Sequence, residues 1–255
     1  MEDICMNQRR DRIAELINKE GTVSFSRLKA AFPNVSEMTL RNDLKALDKE
    51  NRIVRVHGGA RSLGVIIGAD IAYDIRAAQN TAEKRLIAQK ALKLLTPGLS
   101  IFLDSGSTAI EIASNFPDEP YMIFTSGINC ALELTKLTKA RSHLIGGEVN
   151  RNNLSVNGIR SINEIEHLNF NIAFLGTTGF SHERGFTCAV EAENELKRAV
   201  IRKADKVVVL MDSQKVGIVN TFTFAFPNEI STIISDDKLD EEIKKTLELD
   251  GTKVL

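Results

Sequence analysis

The chain has 255 residues, of which 43% are hydrophobic and 26% are charged, and its formal net charge at pH 7 is -1. These values lie in the normal range for a soluble globular protein and allow one large domain or two unequal ones. No apolar stretch reaches the length of a membrane span, and the N-terminus lacks the apolar run of a signal peptide, so we expect a cytoplasmic protein.

The cysteines show no pattern of metal binding or disulfide pairing. Cys5, Cys130 and Cys188 are odd in number, widely spaced, and belong to no CxxC or His/Cys arrangement. We therefore expect ordinary thiols of a reducing compartment, and no cofactor or metal site.

Two helices are predicted at the N-terminus. Residues 7–19 carry apolar residues at helical spacing, and Gly21 follows as a stop signal. Ser24 can cap a second short helix, which must end before Pro33 because proline disfavours helical geometry in the residue before it. The apolar residues of these helices are Ile13, Leu16, Ile17, Phe25, Leu28 and Ala31.

A third helix, a strand and a glycine turn follow. Ser36, with Thr39 three residues later, predicts the start of a helix that runs to about Glu50. Residues 52–57 then mostly alternate polar and apolar, as in a strand, and glycines 58–59 form a turn that could close a two-stranded wing. The apolar face of the third helix consists of Leu40, Leu44 and Leu47.

The rest of the chain has the pattern of an α/β protein. Residues 62–80 show weak periodicity and are predicted to be a linker with room for a short strand or helix, whereas residues 81–95 predict a helix. Beyond it, buried-strand runs alternate with helical stretches, which predicts a parallel-rich α/β sheet. These runs are residues 100–104, 122–125, 143–145, 172–175, 207–211 and 232–234.

Charge is divided unevenly between these segments. Residues 21–61 hold eight Lys and Arg against four Asp and Glu, a net charge of +4, whereas residues 62–255 hold 21 against 25, a net charge of -4. A basic small domain joined to an acidic large one suits a nucleic-acid reader attached to a different module.

Three short helices followed by a basic strand and turn match a winged helix-turn-helix, whose third helix enters the major groove of DNA. Because its leucines face the core, Arg41 and Asn42 are left outside as candidates for reading guanine and adenine, while Ser36, Thr39 and Lys45 are better suited to phosphates. The alternative is a three-helix packing domain with a solvated charged face. The candidates for DNA contact are Ser36, Met38, Thr39, Arg41, Asn42, Lys45, Arg52, Arg55 and His57.

Two stretches of this segment resemble the DeoR family of transcriptional regulators. They are VSEMTLRNDL at residues 35–44 and RVHGGA at residues 55–60, and they occur at the separation usual in the family. Family members commonly have a second arginine where this chain has Asn42, so operator sequence or affinity is expected to differ. Asp43 could pair with a wing arginine instead of meeting DNA, and it is not counted as a base contact.

In the large domain, residues 104–108 form a hydroxyl-rich loop between a predicted strand and a predicted helix. A helix N-terminus offers free N–H groups and a partial positive charge, so this loop could cradle a phosphate. Ser107 or Thr108 could equally be a simple helix cap. Similar loops follow other strands at residues 125–129, 146–147 and 176–179, and ligands of open α/β sheets collect at such ends.

The resemblance to the DeoR family continues through this domain in the blocks EKRLIA, IFLDSGST, LIGGEV, FLGTTGF, ELKRA and DSQKVG. It implies a winged helix-turn-helix domain over residues 1–61, a linker over 62–80, and over 81–255 an α/β sensor domain similar in fold to ribose-5-phosphate isomerase. The family's effectors are typically phosphorylated sugars or sugar derivatives. The implied effector pocket comprises Asp104, Ser105, Gly106, Ser107, Thr108, Thr125, Ser126, Asn129, Gly146, Gly147, Thr178, Glu191, Lys197, Asp212 and Lys215.

Within this implied pocket, Ser105, Ser107 and Thr108 would hold the phosphate, and Asp104 and Glu191 could accept hydrogen bonds from sugar hydroxyls.

Lys197 and Lys215 could each pair with the phosphate or with a nearby carboxylate. A surface ion pair of Lys197 with Glu193, four residues earlier on the same helix, is at least as good an interpretation.

The resemblance to an isomerase fold raises the alternative of a sugar-phosphate isomerase-like enzyme with an appended DNA-binding domain. The related isomerases carry an acidic DGADE-like loop where this chain has GTTGF at residues 176–180, and a lone Glu191 is more often a hydroxyl ligand than a base. We therefore predict no catalytic residue and no enzyme activity. A protein-interaction adaptor is a further alternative.

The sequence thus predicts a DNA-binding regulator, most simply a repressor of sugar-metabolism genes. Its expected partners are double-stranded operator DNA, a phosphorylated sugar effector, and further copies of itself, because one winged helix reads only a short half-site.

Overall fold

The computed structural model describes residues 2–20, 22–50, 52–56, 58–62 and 79–255. The chain divides into two compact units, residues 1–69 and 70–255. Gly21, His57 and residues 63–78, the greater part of the predicted linker, lie outside the described residues. Within the described ranges, no helix is long and apolar enough to cross a membrane.

The first unit contains the helices α1 (Glu2–Glu20), α2 (Phe25–Ala31) and α3 (Glu37–Lys49). The predicted caps are confirmed, because the Ser24 hydroxyl accepts a hydrogen bond from the backbone N–H of Arg27 at 3.2 Å, and the Ser36 hydroxyl accepts one from Thr39 at 3.1 Å. The first helix begins five residues earlier than expected.

The strands of this unit are β1 (Thr22–Ser24), β2 (Ile53–Val56) and β3 (Gly59–Ser62). In the described part of the unit they form an antiparallel sheet of order β1-β3-β2, so the predicted two-stranded wing gains a third strand. Gly58 turns the chain with φ +80°, and a Cβ at Gly59 would lie 2.2 Å from the carbonyl oxygen of Val23. Glycine is therefore required where the wing approaches β1.

The core of the first unit contains the predicted apolar faces, and it also includes one buried carboxylate. Asp43 is only 2% exposed and accepts hydrogen bonds from Arg9 Nε at 2.7 Å and Arg10 Nε at 3.1 Å. The possible pairing with a wing arginine is not what the structure shows, because Asp43 faces α1 and pairs with arginines of that helix. The buried apolar residues include Ile13, Ile17, Leu28, Leu40, Leu44, Leu47 and Ile53.

We expect the substitution Asp43→Ala to destabilise the first unit by about 1–3 kcal/mol, because it leaves two partly buried arginines without their shared acceptor. The loss is measurable as faster hydrogen exchange of the α1 and α3 amides. Glu50→Ala is the matched control, since its contact with Arg10 is long, at 3.7 Å, and exposed. Equal effects of the two substitutions would contradict a structural role for Asp43.

The second unit alternates helices and strands. Its helices are α4 (Thr81–Leu92), α5 (Ser107–Ser114), α6 (Ile128–Leu134), α7 (Ile159–Ile165), α8 (Glu191–Lys203) and α9 (Glu241–Leu249). Its strands are β4 (Ser100–Leu103), β5 (Met122–Thr125), β6 (Arg141–Leu144), β7 (Glu148–Asn150), β8 (Ser155–Asn157), β9 (Ile172–Gly176), β10 (Gly179–Ser181), β11 (Gly185–Cys188), β12 (Val207–Leu210), β13 (Phe222–Ala225), β14 (Thr232–Ile234) and β15 (Lys253–Val254).

Among the described residues, seven strands form a parallel sheet of order β15-β14-β12-β9-β4-β5-β6, which confirms the predicted parallel-rich α/β fold. Side chains on both faces are buried in two apolar clusters, with Phe102 and Phe124 on one side and Ile101, Leu103 and Ile123 on the other. Burial on both faces explains why these strands read as continuous apolar runs.

The order of the strands creates a topological switch point between β4 and β9. The chain runs outward from β4 through β5 to β6, and from β9 it runs the other way through β12 and β14 to β15. The loops that follow β4 and β9 therefore leave the sheet in opposite directions and open a crevice, the usual ligand position in open α/β sheets.

Two smaller elements were not predicted. The strands β10, β11 and β13 form an antiparallel sheet, and β7 pairs with β8 as an antiparallel hairpin. Each of these strands has only three or four residues, which is too few for an alternating polar and apolar pattern to be recognised. The helix predicted over 81–95 ends early, at Leu92. The next residues form a tighter turn, in which Leu94 N–H donates to Ala91 O, three residues earlier, at 3.0 Å.

Candidate functional site

A polar pocket lies at the switch point, where the carboxyl ends of β4 and β9 separate. It is also bordered by the start of α4, the inner face of α8 and the turn after β12. Its lining residues are Gln79, Asn80, Lys84, Asp104, Ser105, Gly106, Ser107, Thr108, Ala109, Gly176, Thr177, Thr178, Cys188, Glu193, Lys197, Leu210, Asp212 and Lys215.

This pocket contains an ion pair between Lys197 and Asp104, both nearly buried. Asp104 Oδ2 also accepts a hydrogen bond from the backbone N–H of Gly176 at 2.8 Å, and Lys197 Nζ donates to the Gly176 carbonyl oxygen at 2.9 Å. The pair thus joins the end of β4, the end of β9 and the middle of α8.

Burial by itself would lower the pKa of Lys197, but the negative charges of Asp104 and Glu193 outweigh it and raise the pKa, so the lysine keeps its charge. The interpretation of Lys197 as part of a surface ion pair is wrong, because Lys197 lies on the buried face of α8 and pairs with Asp104. Glu193 acts on Lys197 through its charge and also accepts hydrogen bonds from the side chains of Asn153 and Ser155.

The hydroxyl-rich loop runs directly into α5, which begins at Ser107. Gly106 occupies the capping position and no side chain caps the helix, so the alternative in which Ser107 or Thr108 is a simple cap is wrong. The first N–H groups of a helix have no intrahelical acceptor, and here they lie beside Ser105 and the two half-buried hydroxyls of Ser107 and Thr108. This arrangement suits an anion.

Further charged groups border the same space. Lys84 on α4 is 6% exposed and donates to the carbonyl oxygen of Gln79 at 2.5 Å. Asp212 Oδ1 accepts a hydrogen bond from Asn80 Nδ2 at 3.1 Å. Lys215 stands on the turn after β12, and within the described residues its ammonium group has no ion-pair partner.

Nine predicted effector-binding residues line the pocket together, namely Asp104, Ser105, Gly106, Ser107, Thr108, Thr178, Lys197, Asp212 and Lys215. Six others do not line it: Thr125, Ser126, Asn129, Gly146, Gly147 and Glu191.

Local structural roles are visible for some of these six. The buried Thr125 hydroxyl accepts from Gly127 N–H at 3.0 Å, and Gly146 N–H donates to the Glu164 carboxylate at 2.9 Å. Glu191 is exposed at the start of α8.

The sequence reading missed Gln79, Asn80, Lys84, Ala109, Gly176, Thr177, Cys188, Glu193 and Leu210. Gly176 and Thr177 belong to the same loop as the predicted residue Thr178, and Lys84 lies in the block EKRLIA that resembles the DeoR family. The sequence therefore contained information that could have placed these three residues in the pocket. Burial raises the pKa of the Cys188 thiol to about 12, which keeps it protonated at neutral pH.

We expect Lys197→Met to destabilise the second unit by about 3–5 kcal/mol, because it leaves the buried Asp104 carboxylate unpaired. Since the folded-state pKa of Lys197 is raised, the pair contributes fully at neutral pH, and its contribution is lost only as the pH rises above the ordinary lysine pKa and through the raised one. Urea unfolding and hydrogen exchange at β4 and β9 measure the loss. Lys215→Met is the control, and an equal loss there would contradict the assignment.

In the first unit, the outer face of α3 presents the residues predicted to meet DNA. Met38 is 74% exposed, and Arg41, Asn42 and Lys45 are also exposed. A cleft between α3 and the wing is lined by Phe25, Arg41, Leu44, Arg55, Val56, Gly58 and Gly59.

The arginines of this surface differ in their partners. Arg52 is held by Asp11 at 2.7 Å, whereas within the described residues neither Arg41 nor Arg55 pairs with a carboxylate. The guanidinium of Arg41 lies 4.4 Å from the centre of the Phe25 ring. Arg41 and Arg55 are therefore the arginines of this cleft that keep their charge available for a nucleic acid.

Both units match known domain families. Residues 9–64 match the DeoR-like helix-turn-helix domain, and residues 79–237 match the DeoR C terminal sensor domain. The architecture is that of a two-part transcriptional regulator, with a DNA-binding module followed by a sensor. The chain belongs to the DeoR family.

Relatives match over almost their whole length. The HTH-type transcriptional regulator GolR of Listeria innocua is 30% identical over 97% of this chain and 97% of its own. A putative aga operon transcriptional repressor of Escherichia coli O157:H7 is 30% identical over 98% and 93%. A lactose phosphotransferase system repressor of Streptococcus mutans is 28% identical over 93% and 95%.

Among solved structures, ribose 5-phosphate isomerase A of Methanocaldococcus jannaschii overlaps 54% of this chain and 55% of its own, with 16% identity and a TM-score of 0.40. The sequence predicted a fold similar to that of this enzyme, and the similarity found extends over about half of each chain. At this similarity it has no bearing on activity.

Proposed function

We propose that this DeoR-family regulator represses carbohydrate-metabolism genes and that a phosphorylated sugar or sugar derivative, bound in the pocket of the second unit, changes its affinity for operator DNA. The observation that carries the proposal is the pocket itself. It combines an uncapped helix start, a hydroxyl-rich loop and buried lysines at the switch point of a parallel sheet.

The phosphate is best accommodated at the start of α5. Ser105, Ser107 and Thr108 supply hydroxyl donors there, the helix supplies N–H groups, and Lys84 and Lys215 add positive charge at the border of the same pocket. These groups offer the donors and the charge that a dianion needs when it leaves water.

The sugar hydroxyls face a different set of groups. Asp104 Oδ2 is engaged by Lys197 and Gly176, but within the described residues its Oδ1 has no hydrogen-bond donor. Asp212 offers a second carboxylate. In this proposal, Lys197 positions Asp104 and does not neutralise the phosphate, because its charge is already paired.

Sensing fits this pocket better than catalysis. The loop after β9 contributes Gly176, Thr177 and Thr178, which are not bases. Each carboxylate of the pocket is held by a neighbour, Asp104 by Lys197, Asp212 by Asn80 and Glu193 by Asn153. The names of two relatives, repressors of an aga operon and of a lactose phosphotransferase system, support repression of carbohydrate genes. We propose a homo-oligomer as the active form, because one recognition helix reads only a short half-site.

The proposal divides the chain into a DNA-binding domain over residues 1–61, a linker over 62–80 and a sensor domain over 81–255. The DNA contacts fall on α3 and the wing, where Arg41 and Asn42 read bases, and Arg55 and Lys45 meet the backbone. Arg52 contributes less, because Asp11 already holds its guanidinium group.

If Arg41 makes a bidentate base contact, Arg41→Ala loses roughly 1–3 kcal/mol of operator binding and relaxes discrimination at one base position. Fluorescence anisotropy with the operator and its single-base variants measures both. Arg52→Ala is the control, with a small loss that is uniform across sequences. Unchanged affinity and specificity in Arg41→Ala would remove Arg41 from the recognition surface.

Ser107→Asp places a negative charge at the proposed phosphate position and is expected to abolish the effector response while operator binding stays intact. Operator release and thermal stability are followed during titration with a panel of sugar phosphates, because a specific ligand raises apparent stability. Ser142→Asp, exposed on β6 and outside the pocket, is the matched control. A normal response in Ser107→Asp would refute the phosphate site.

A further inference from the structure

The ring of Phe25 has a contact that core packing does not require. Phe25 is the first residue of α2 and is only half-buried, at the edge of the apolar core of the first unit. Its ring faces outward enough for the Arg41 guanidinium to lie over it, with the guanidinium carbon 4.4 Å from the ring centre. This geometry is that of a cation–π contact.

The position of the ring is set by the wing. The backbone N–H of Phe25 donates to the carbonyl oxygen of Gly58, in the wing turn, at 2.8 Å. The preceding residue, Ser24, pairs with Gly59 across β1 and β3 and caps α2. Phe25 is therefore held at the junction of α2, the wing and the cleft.

The contact with Phe25 matters for Arg41 because, within the described residues, no ion pair restrains its guanidinium group. Arg41 projects from α3 as an exposed side chain, and no described carboxylate pairs with it. A free arginine samples many rotamers, which a base contact must then restrict at a cost in conformational entropy. A planar guanidinium stacked on an aromatic face has part of that restriction already imposed.

We propose that Phe25 is a positioning residue for DNA recognition: its ring holds the Arg41 guanidinium in the cleft between α3 and the wing, ready for a base edge. The inference rests on the proposed role of Arg41 in reading DNA. It assigns to α2, a helix without predicted DNA contacts, a share in operator specificity.

The chemistry of the ring separates this role from simple packing. Leucine can fill the apolar edge of the core but has no π face, so Phe25→Leu removes the attraction for the guanidinium. Tyrosine and tryptophan keep an aromatic face. The proposal therefore predicts that Phe25→Tyr keeps operator affinity within about twofold, whereas Phe25→Leu weakens it about two- to fivefold.

A double-mutant cycle on the full-length protein tests the coupling. Operator affinity is measured by anisotropy for the unmodified chain, Phe25→Leu, Arg41→Ala and the double variant, each against the operator and its single-base variants. Phe25→Leu is expected to relax discrimination at the same base position as Arg41→Ala, and to cause no further loss when Arg41 is already absent.

An equal loss from Phe25→Leu in both backgrounds would overturn the proposal, since it would show a packing effect independent of Arg41. Thermal unfolding of each variant checks the fold, and Phe25→Met replaces Phe25→Leu in the cycle if the leucine variant unfolds. A lack of any effect of Arg41→Ala would instead refute the base contact itself. The two failures are therefore distinguishable.

Discussion

A buried lysine must keep its charge paired, and this requirement organises the second unit. Lys197 lies on the inner face of α8, and its partner Asp104 stands at the end of β4. Through Gly176 the same pair reaches the end of β9. Desolvating two charges is costly, so the pair is stable only where several elements hold it in geometry. The pair consequently connects three walls of the pocket, namely the end of β4, the end of β9 and α8.

The first unit uses a buried carboxylate in a related way. Asp43 on α3 binds Arg9 and Arg10 of α1, so the helix proposed to enter the major groove is fixed to the helix behind it. On its outer side, α3 is linked to α2 through the stacking of Arg41 on Phe25, and the backbone N–H of Phe25 in turn donates to Gly58 O in the wing turn. The recognition helix is thus restrained from both sides, by an ion pair within the unit and by an aromatic contact at its surface.

Local patterns predicted the helices, their caps and the main parallel strands, because these depend on residues close in sequence. Ser24 and Ser36 cap as expected, and Leu40, Leu44 and Leu47 are buried as expected. The partners of Asp43 and Lys197 could not be predicted, since they lie 34 and 93 residues away. The loop after β5 has the same hydroxyl chemistry as the loop after β4, but it lies one strand away from the switch point. Pattern alone does not distinguish the two.

The place of the pocket on the sheet also has an evolutionary consequence. Part of its polar lining, including Thr178 and Lys215, is carried by loops and turns at strand ends, whereas the strands beneath are packed in two apolar clusters. If the pocket binds the proposed effector, mutations in those loops are expected to change ligand preference at little cost to folding, so that one scaffold can diversify. Asp104 and Lys197 are the exception. Because the framework depends on this ion pair and the proposed effector lies beside it, we expect a change of effector to leave these two residues in place.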